Sequence, residues 1–136
     1  MTNKRKEILA AVSSSEIPLS AAAIHARLGT MDLATVYRGL HYLEKNDFIT
    51  SFHFTCETRG GERYYFGSEA GHLHFFHCRR CHIFIPIEEC GIFSVEKEVE
   101  KRYAVNIENH ILHYTGCCGK CLENEEDRET VHDMNN

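Results

Sequence analysis

Two C-x-x-C pairs constrain this chain more than any other feature: Cys78 with Cys81, and Cys118 with Cys121. A C-x-x-C turn presents two sulfurs to one metal, and two such turns complete a tetrahedral four-cysteine site of the closed, structural kind that suits Zn²⁺. The intervening segment must then fold back so that both ends meet. Metal affinity becomes folding free energy in such a unit, on the order of 10–16 kcal/mol for structural zinc. Free thiols or two disulfides are the alternatives. The N-terminus, MTNKRKEIL, has no apolar core of a signal peptide, and no apolar run is long enough to span a membrane. The expected location is therefore cytoplasmic, where cysteine pairs of this spacing read as zinc ligands.

Seven cysteines leave Cys56, Cys90 and Cys117 outside the clasp. Of ten histidines, His53, His72, His74, His77, His82, His110 and His113 gather around the cysteine-rich half, which suggests a second metal. The formal net charge is −5, so the chain is not a uniformly basic nucleic-acid coat. The acidic excess lies in the second half and its tail, which leaves the first half free to present local basic clusters.

Read in order, Thr2–Val12 is predicted as a helix with Ile8, Leu9 and Val12 inward. Ser20 caps a second helix, Ala21–Leu28, which Gly29 ends. Asp32 caps a third, Leu33–Lys45, with Leu33, Val36, Leu40 and Leu43 as its core stripe. Two strands around Gly60-Gly61, Phe48–Phe54 and Arg63–Phe66, make a hairpin. Three helices and a hairpin form a winged helix-turn-helix over residues 1–68. Residues 69–71 read as a hinge. Residues 72–122 read as a small α/β unit with strands at His74–His77, Ile83–Ile87 and Ala104–Tyr114 and a helix at Phe93–Arg102. Pro86 suits an edge strand, and the alternating charges of the helix read as a solvated face. The fold class is thus α+β, and residues 123–136 read as an acidic disordered tail. The second unit is too small for a large core and needs its zinc and a partner subunit.

These residues together resemble the ferric uptake regulator family of metal-responsive repressors. The likeness rests on Leu33-Ala34-Thr35-Val36-Tyr37-Arg38 in the third helix and on Thr2-x-x-Arg5-x-x-Ile8-Leu9 at the start. Leu19-Ser20-Ala21-x-x-Ile24, Arg63-Tyr64 and Gly116-x-Cys118-x-x-Cys121 extend it to about Cys121. The resemblance implies a winged-helix DNA-binding domain joined to an α/β dimerisation domain, acting as a homodimer on a palindromic double-stranded DNA operator. It implies no membrane association, no small-molecule substrate and no enzyme activity. The chain starts close to its first matching helix, so a helix that often precedes it in the family is expected to be absent.

The third helix would enter the major groove, whose base edges carry an unambiguous code. The resemblance makes Tyr37 and Arg38 the main DNA contacts. Thr35 would add a phosphate contact, and Arg59, Lys4 and Arg5 would supply salt-sensitive attraction. A second, regulatory divalent metal is implied between the two domains, Zn²⁺ ahead of Fe²⁺. The candidate ligands are His53, His72, His74, Glu88 and His110. The sequence departs from the family pattern at Pro18, where a histidine is usual, and at Tyr65, where an acid is usual. Its histidines before Cys78 are also displaced by one residue. A thiolate from Cys56 or Cys90 would bias the site toward zinc over iron. Cys117 offers an alternative sulfur beside the clasp. Iron sensing and, further off, peroxide sensing are alternatives within the family. A zinc-ribbon interaction module without DNA binding is the alternative from another class.

Overall fold

The computed structural model describes residues 1–70 and 72–124, and the chain divides into two compact units after residue 71. In the first unit, helix α1 (Asn3–Ser13) starts at Thr2, whose side chain accepts a hydrogen bond from the Arg5 N–H at 3.3 Å. A two-residue strand β1 (Leu19–Ser20) runs straight into α2 (Ala21–Leu28), where Ser20 Oγ accepts from the Ala23 N–H. Gly29, at φ +66°, ends α2 in the left-handed conformation that glycine adopts without strain. Asp32 Oδ1 accepts from the Thr35 N–H at 2.7 Å and starts α3 (Leu33–Lys45). All three caps satisfy backbone donors that a helix start leaves open.

Strands β2 (Ile49–Cys56) and β3 (Gly60–Gly67) pair antiparallel from Ile49↔Gly67 to Cys56↔Gly60. Their connection, Glu57-Thr58-Arg59, closes onto Gly60 at φ +79°, as a three-residue hairpin requires. β1 adds to the other edge of β3, so the sheet runs β1-β3-β2. Ile8, Val12, Leu19, Ile24, Val36, Leu40, Leu43 and Ile49 form one buried cluster that Tyr65 completes from β3. Leu33 departs from the predicted stripe. It is 40% exposed, because the first turn of α3 projects beyond the core and the buried face begins at Val36. Gly39 takes its place in that face, where α1 crosses closely.

In the second unit, β4 (His74–Cys78) is central, flanked by β5 (Phe84–Ile87) antiparallel and β6 (His113–Gly116) parallel. Pro86 sits on the edge strand β5, where a missing N–H is tolerated. The parallel pairing needs a crossover, and α4 (Phe93–Tyr103) lies within it. The predicted strand over Ala104–Tyr114 shrinks to β6. Phe75 pairs with His113, which sets Leu112 level with His74, the first residue of β4, so residues before 112 run past its start and have no strand beside them. Among the described residues the buried apolar side chains here amount to Phe75 and Phe84, edge to face at 6.4 Å, with Cys78 and Cys118. A core this small leaves stability to other interactions. The junction at residues 68–70 is a single 3₁₀ turn. Residues 119–124 are helical, so the expected tail is ordered at its first two positions, and its remainder lies outside the described residues.

A Cβ placed on Gly39 falls 2.4 Å from Ile8 Cδ1, and Ile8 is fully buried. Gly39→Ala should therefore destabilise the first unit despite alanine's helix preference, with a loss of about 1–3 kcal/mol from overpacking. Ile8→Val removes the clashing methyl. The double variant should then be less unstable than the two single losses added, as denaturant titration of the four-protein cycle would report.

Candidate metal centres and nucleic-acid interface

The sequence closes the first centre through strand pairing. Cys78 ends β4, and Gly116, its register partner, ends β6, so the turns that follow these strands start side by side. The Arg79 N–H donates to the Gly116 carbonyl at 2.9 Å and locks the two turns together. Cys78 Sγ lies 3.8 Å from Cys121 Sγ, and Cys81 Sγ lies 3.6 Å from Cys118 Sγ. All four sulfurs fall within 4.8 Å of one another. A tetrahedron with Zn–S bonds near 2.3 Å has sulfur–sulfur edges of about 3.8 Å, so the donor set fits zinc.

Burial pushes the Cys78 thiol up, but backbone N–H groups at Cys81, Cys118 and Arg80 outweigh it and bring it down to about 5. Burial and the neighbouring sulfurs push Cys121 the other way, to about 12. Cys78 is thus the preorganised thiolate, and the Cys118 N–H points at its sulfur from 3.4 Å. Four crowded thiols cannot all ionise alone, and a divalent cation removes that conflict. Cys117 is half-buried and stands outside the group.

The second centre gathers His72, His74, Cys90 and His110. His74 opens β4 and is 2% exposed. Its Nδ1 donates to the Leu112 carbonyl, 3.1 Å away, which leaves the Nε2 lone pair facing inward. His110 Nδ1 stands against the carboxylate of Glu96, and a carboxylate there favours the ring proton on Nδ1. His110 Nε2 lies 3.0 Å from His72 Nε2, 3.1 Å from His74 Nε2 and 3.4 Å from Cys90 Sγ. Converging ring nitrogens with lone pairs turned to one point repel each other unless a cation sits among them. Zinc–nitrogen bonds of 2.0–2.1 Å give tetrahedral edges of about 3.3 Å, close to these separations. Three imidazoles and a thiolate are therefore a fitting donor set for a divalent transition metal. A pocket lined by His72, Cys90, Glu96, Glu108 and His110 opens beside it.

Of the expected regulatory ligands, the structure brings His72, His74 and His110 together and supplies Cys90 as the fourth. All four belong to the second unit. His53 lies on an exposed position of β2 in the first unit, opposite Arg63. Glu88 follows the end of β5 and is exposed; the chain runs on to Cys90 before it reaches the histidines. Cys56 lies at the wing tip with Sγ 3.3 Å from Thr58 Oγ1, and that contact holds its thiol below the usual range. Tyr65 belongs to the first unit's core, where burial pushes its hydroxyl up. Sequence reasoning missed Glu96, whose charge pattern reads as a solvated face. Its spacing of four from Glu100, on one face of the helix, is the available signal.

The residues expected to contact DNA lie in the first turns of α3, in the first unit. Tyr37 is 48% exposed, and Arg38 is exposed with Nη2 donating to Thr35 Oγ1 at 3.2 Å. The guanidinium is thereby held along the first turns of the helix, beside the cap. Lys4, at the start of α1, and Arg59, at the wing tip, are exposed. Arg5 instead lies over the Tyr42 ring, 3.7 Å from its centroid, so its charge also packs α1 on α3.

The profile of the ferric uptake regulator family matches residues 1–115. The ferric uptake regulation protein of Helicobacter pylori is 28% identical over 129 residues, 91% of this chain and 83% of that protein. The one from Campylobacter jejuni is 29% identical over 89 residues, 65% of this chain and 54% of that protein. The chain therefore spans about half of one relative and most of the other. Among solved structures, the H. pylori ferric uptake regulator superposes with a TM-score of 0.75 at 23% identity, over 90% of this chain and 81% of that one. A zinc uptake regulator complexed with zinc and DNA superposes at 0.62 and 19% identity, over 92% and 85%. At these identities the two structures speak to the fold.

Cys78→Ser should bind one zinc fewer per chain and lose amide protection along β4, β5 and β6, read by elemental analysis and hydrogen exchange. A variant with full zinc and intact protection would remove the clasp. A second expectation concerns pH. Burial, then the neighbouring His72 and His110, lower the His74 pKa below its ordinary 6.5. A lowered folded-state value means the unfolded chain binds the proton first as pH falls. The stability that neutral His74 contributes is present above about pH 6.5 and is lost as pH drops through the folded value. The denaturant midpoint of metal-free protein should fall on acidification in that window, and His74→Phe should flatten the dependence.

Proposed function

This chain belongs to the ferric uptake regulator family, and we propose that it is a zinc-responsive repressor of metal-homeostasis genes. At the level of the family it is a metal-responsive DNA-binding transcription regulator and not an enzyme. Among the described residues no helix is long and apolar enough to cross a membrane. The proposed setting is the cytoplasm, and the proposed form is a homodimer on a palindromic operator. The zinc uptake regulator solved with zinc and DNA has the same fold and supports that reading.

The observation that carries the choice of metal is Cys90. It adds a sulfur to three imidazoles, and a thiolate ligand favours zinc over iron, which harder oxygen donors suit better. The names of the H. pylori and C. jejuni relatives favour iron as the second reading. Peroxide sensing draws less support, because no carboxylate is among the four converging groups.

The route from metal to DNA begins at His72, the first residue of the second unit. When bound, the metal supplies a positive centre that His72, His74, Cys90 and His110 share. His72 is then tied to the segment bearing His110, which fixes the first residue of the second unit. An operator needs two α3 helices set about one DNA turn apart, so a restrained junction selects the spacing that fits. The ligand set must prefer the DNA-competent arrangement, since only differential affinity shifts a population. Thr35, Tyr37 and Arg38 would meet the major groove, while Lys4, Arg5 and Arg59 would follow the backbone.

Metal content per chain, measured before and after mild chelation with operator affinity followed alongside, tests this function. One zinc should resist the chelator. A second should leave, take DNA binding with it, and restore binding when Zn²⁺ returns more effectively than anaerobic Fe²⁺. DNA binding that ignores the chelator would overturn the metal-responsive reading, and preference for Fe²⁺ would overturn the choice of zinc. Arg38→Ala should weaken operator binding about 10- to 100-fold and leave both metals in place; parental affinity would refute the α3 assignment.

A further inference from the structure

Helix α4 is held to its unit by acids where most helices use a core. No residue of α4 is buried, and its N-cap, Ile92, makes no side-chain cap bond. Phe93, Val95 and Tyr103 are exposed. Glu96 and Glu100, one turn apart on the same face, both reach the segment that follows. Glu100 Oε2 accepts from the Ile107 N–H at 3.1 Å, and the Glu96 carboxylate stands against His110 Nδ1 in an ion-pair contact. That segment, residues 104–112, has no strand or helix of its own.

We propose that Glu96 is the positioning residue of the His72, His74, Cys90 and His110 centre, and the link through which metal occupancy orders α4. The proposal rests on reading that group as the regulatory metal site. A neutral imidazole has one N–H, and a carboxylate beside Nδ1 favours the proton there, which leaves the Nε2 lone pair of His110 for the metal. A carboxylate behind a ligating histidine raises that ligand's basicity and fixes its ring. The converse follows with equal size. A cation at Nε2 makes the imidazole ring more positive, so its attraction to the Glu96 carboxylate strengthens and α4 is drawn onto the 104–112 segment. Coupling between two binding events is reciprocal, so metal steadies α4 and a docked α4 strengthens metal binding. A helix with a buried face would be ordered by that face whether or not metal was bound. Because α4 lacks one, the polar contacts of Glu96 and Glu100 decide how firmly it is seated.

The test compares the full chain with Glu96→Ala, Glu96→Gln and Glu98→Gln. Zn²⁺ affinity is measured by chelator competition, Co²⁺ absorption reports the coordination sphere, and hydrogen exchange follows the α4 amides with and without metal. Glu96→Ala should weaken Zn²⁺ at this centre about 10- to 100-fold and abolish the metal-dependent rise in α4 protection. Glu96→Gln keeps an acceptor without the charge and should fall between parent and alanine; it also carries the test if the alanine variant does not fold. Glu98→Gln removes the same charge from an exposed position of the same helix and should change neither readout. Parental affinity in Glu96→Ala, or α4 protection that rises with metal as in the parent, would overturn the proposal. If the parent itself takes up no second metal, the regulatory reading of the centre fails, and this inference falls with it.

Discussion

The second unit depends on the convergence of four sulfurs. Its two buried phenylalanines cannot hold a three-stranded sheet against the chain entropy of ordering it. The cysteine clasp ties the end of β4 to the residues just past β6, the two places where the parallel pair would otherwise fray. Electrostatics makes the arrangement conditional. Cys78 is set up as a thiolate by backbone N–H groups, while Cys121 is driven toward the neutral thiol by burial and its neighbours. One cation resolves both tendencies at once.

The histidine centre sits on this scaffold at the opposite end of β4. His74 begins the strand that Cys78 ends, so a short and fully paired strand carries both centres. That placement separates their tasks. The clasp closes the strand ends, whereas the histidine centre gathers the chain entering β4, the turn after β5 and the segment before β6. These are parts without regular pairing, and their order is therefore open to change by a ligand. A regulatory site needs that property, because an element already ordered by its core cannot respond.

In the first unit the physics is conventional, and most of it is legible in the residues. Ser20 and Asp32 announce two helix starts, Gly29 a helix end, and Gly60 the hairpin turn, each through local chemistry that needs no tertiary partner. The Leu33–Lys45 span agrees to the residue for the same reason. Leu33 itself falls outside the core because periodicity shows which face a residue shares and cannot show how far the neighbouring core extends. The strand expected over Ala104–Tyr114 fails in a related way: alternation permits a strand, but a ladder requires a neighbour, and β4 starts too late to provide one for residues before 112.

By itself the sequence determined the winged-helix architecture, the four clasp cysteines and the presence of spare histidines beyond the clasp. Cap residues, turn glycines and C-x-x-C knuckles act over a few residues, so they can be read in line. Only the tertiary structure decided which spare ligands meet. His72 and His74 are two apart, but Cys90 and His110 reach them through strand register and the crossover. The same crossover leaves His53 and Glu88 outside the group. It also turned Glu96 from a surface charge into the partner of His110. Those outcomes depend on the path of the backbone between distant residues, and spacing along the chain carries no record of it.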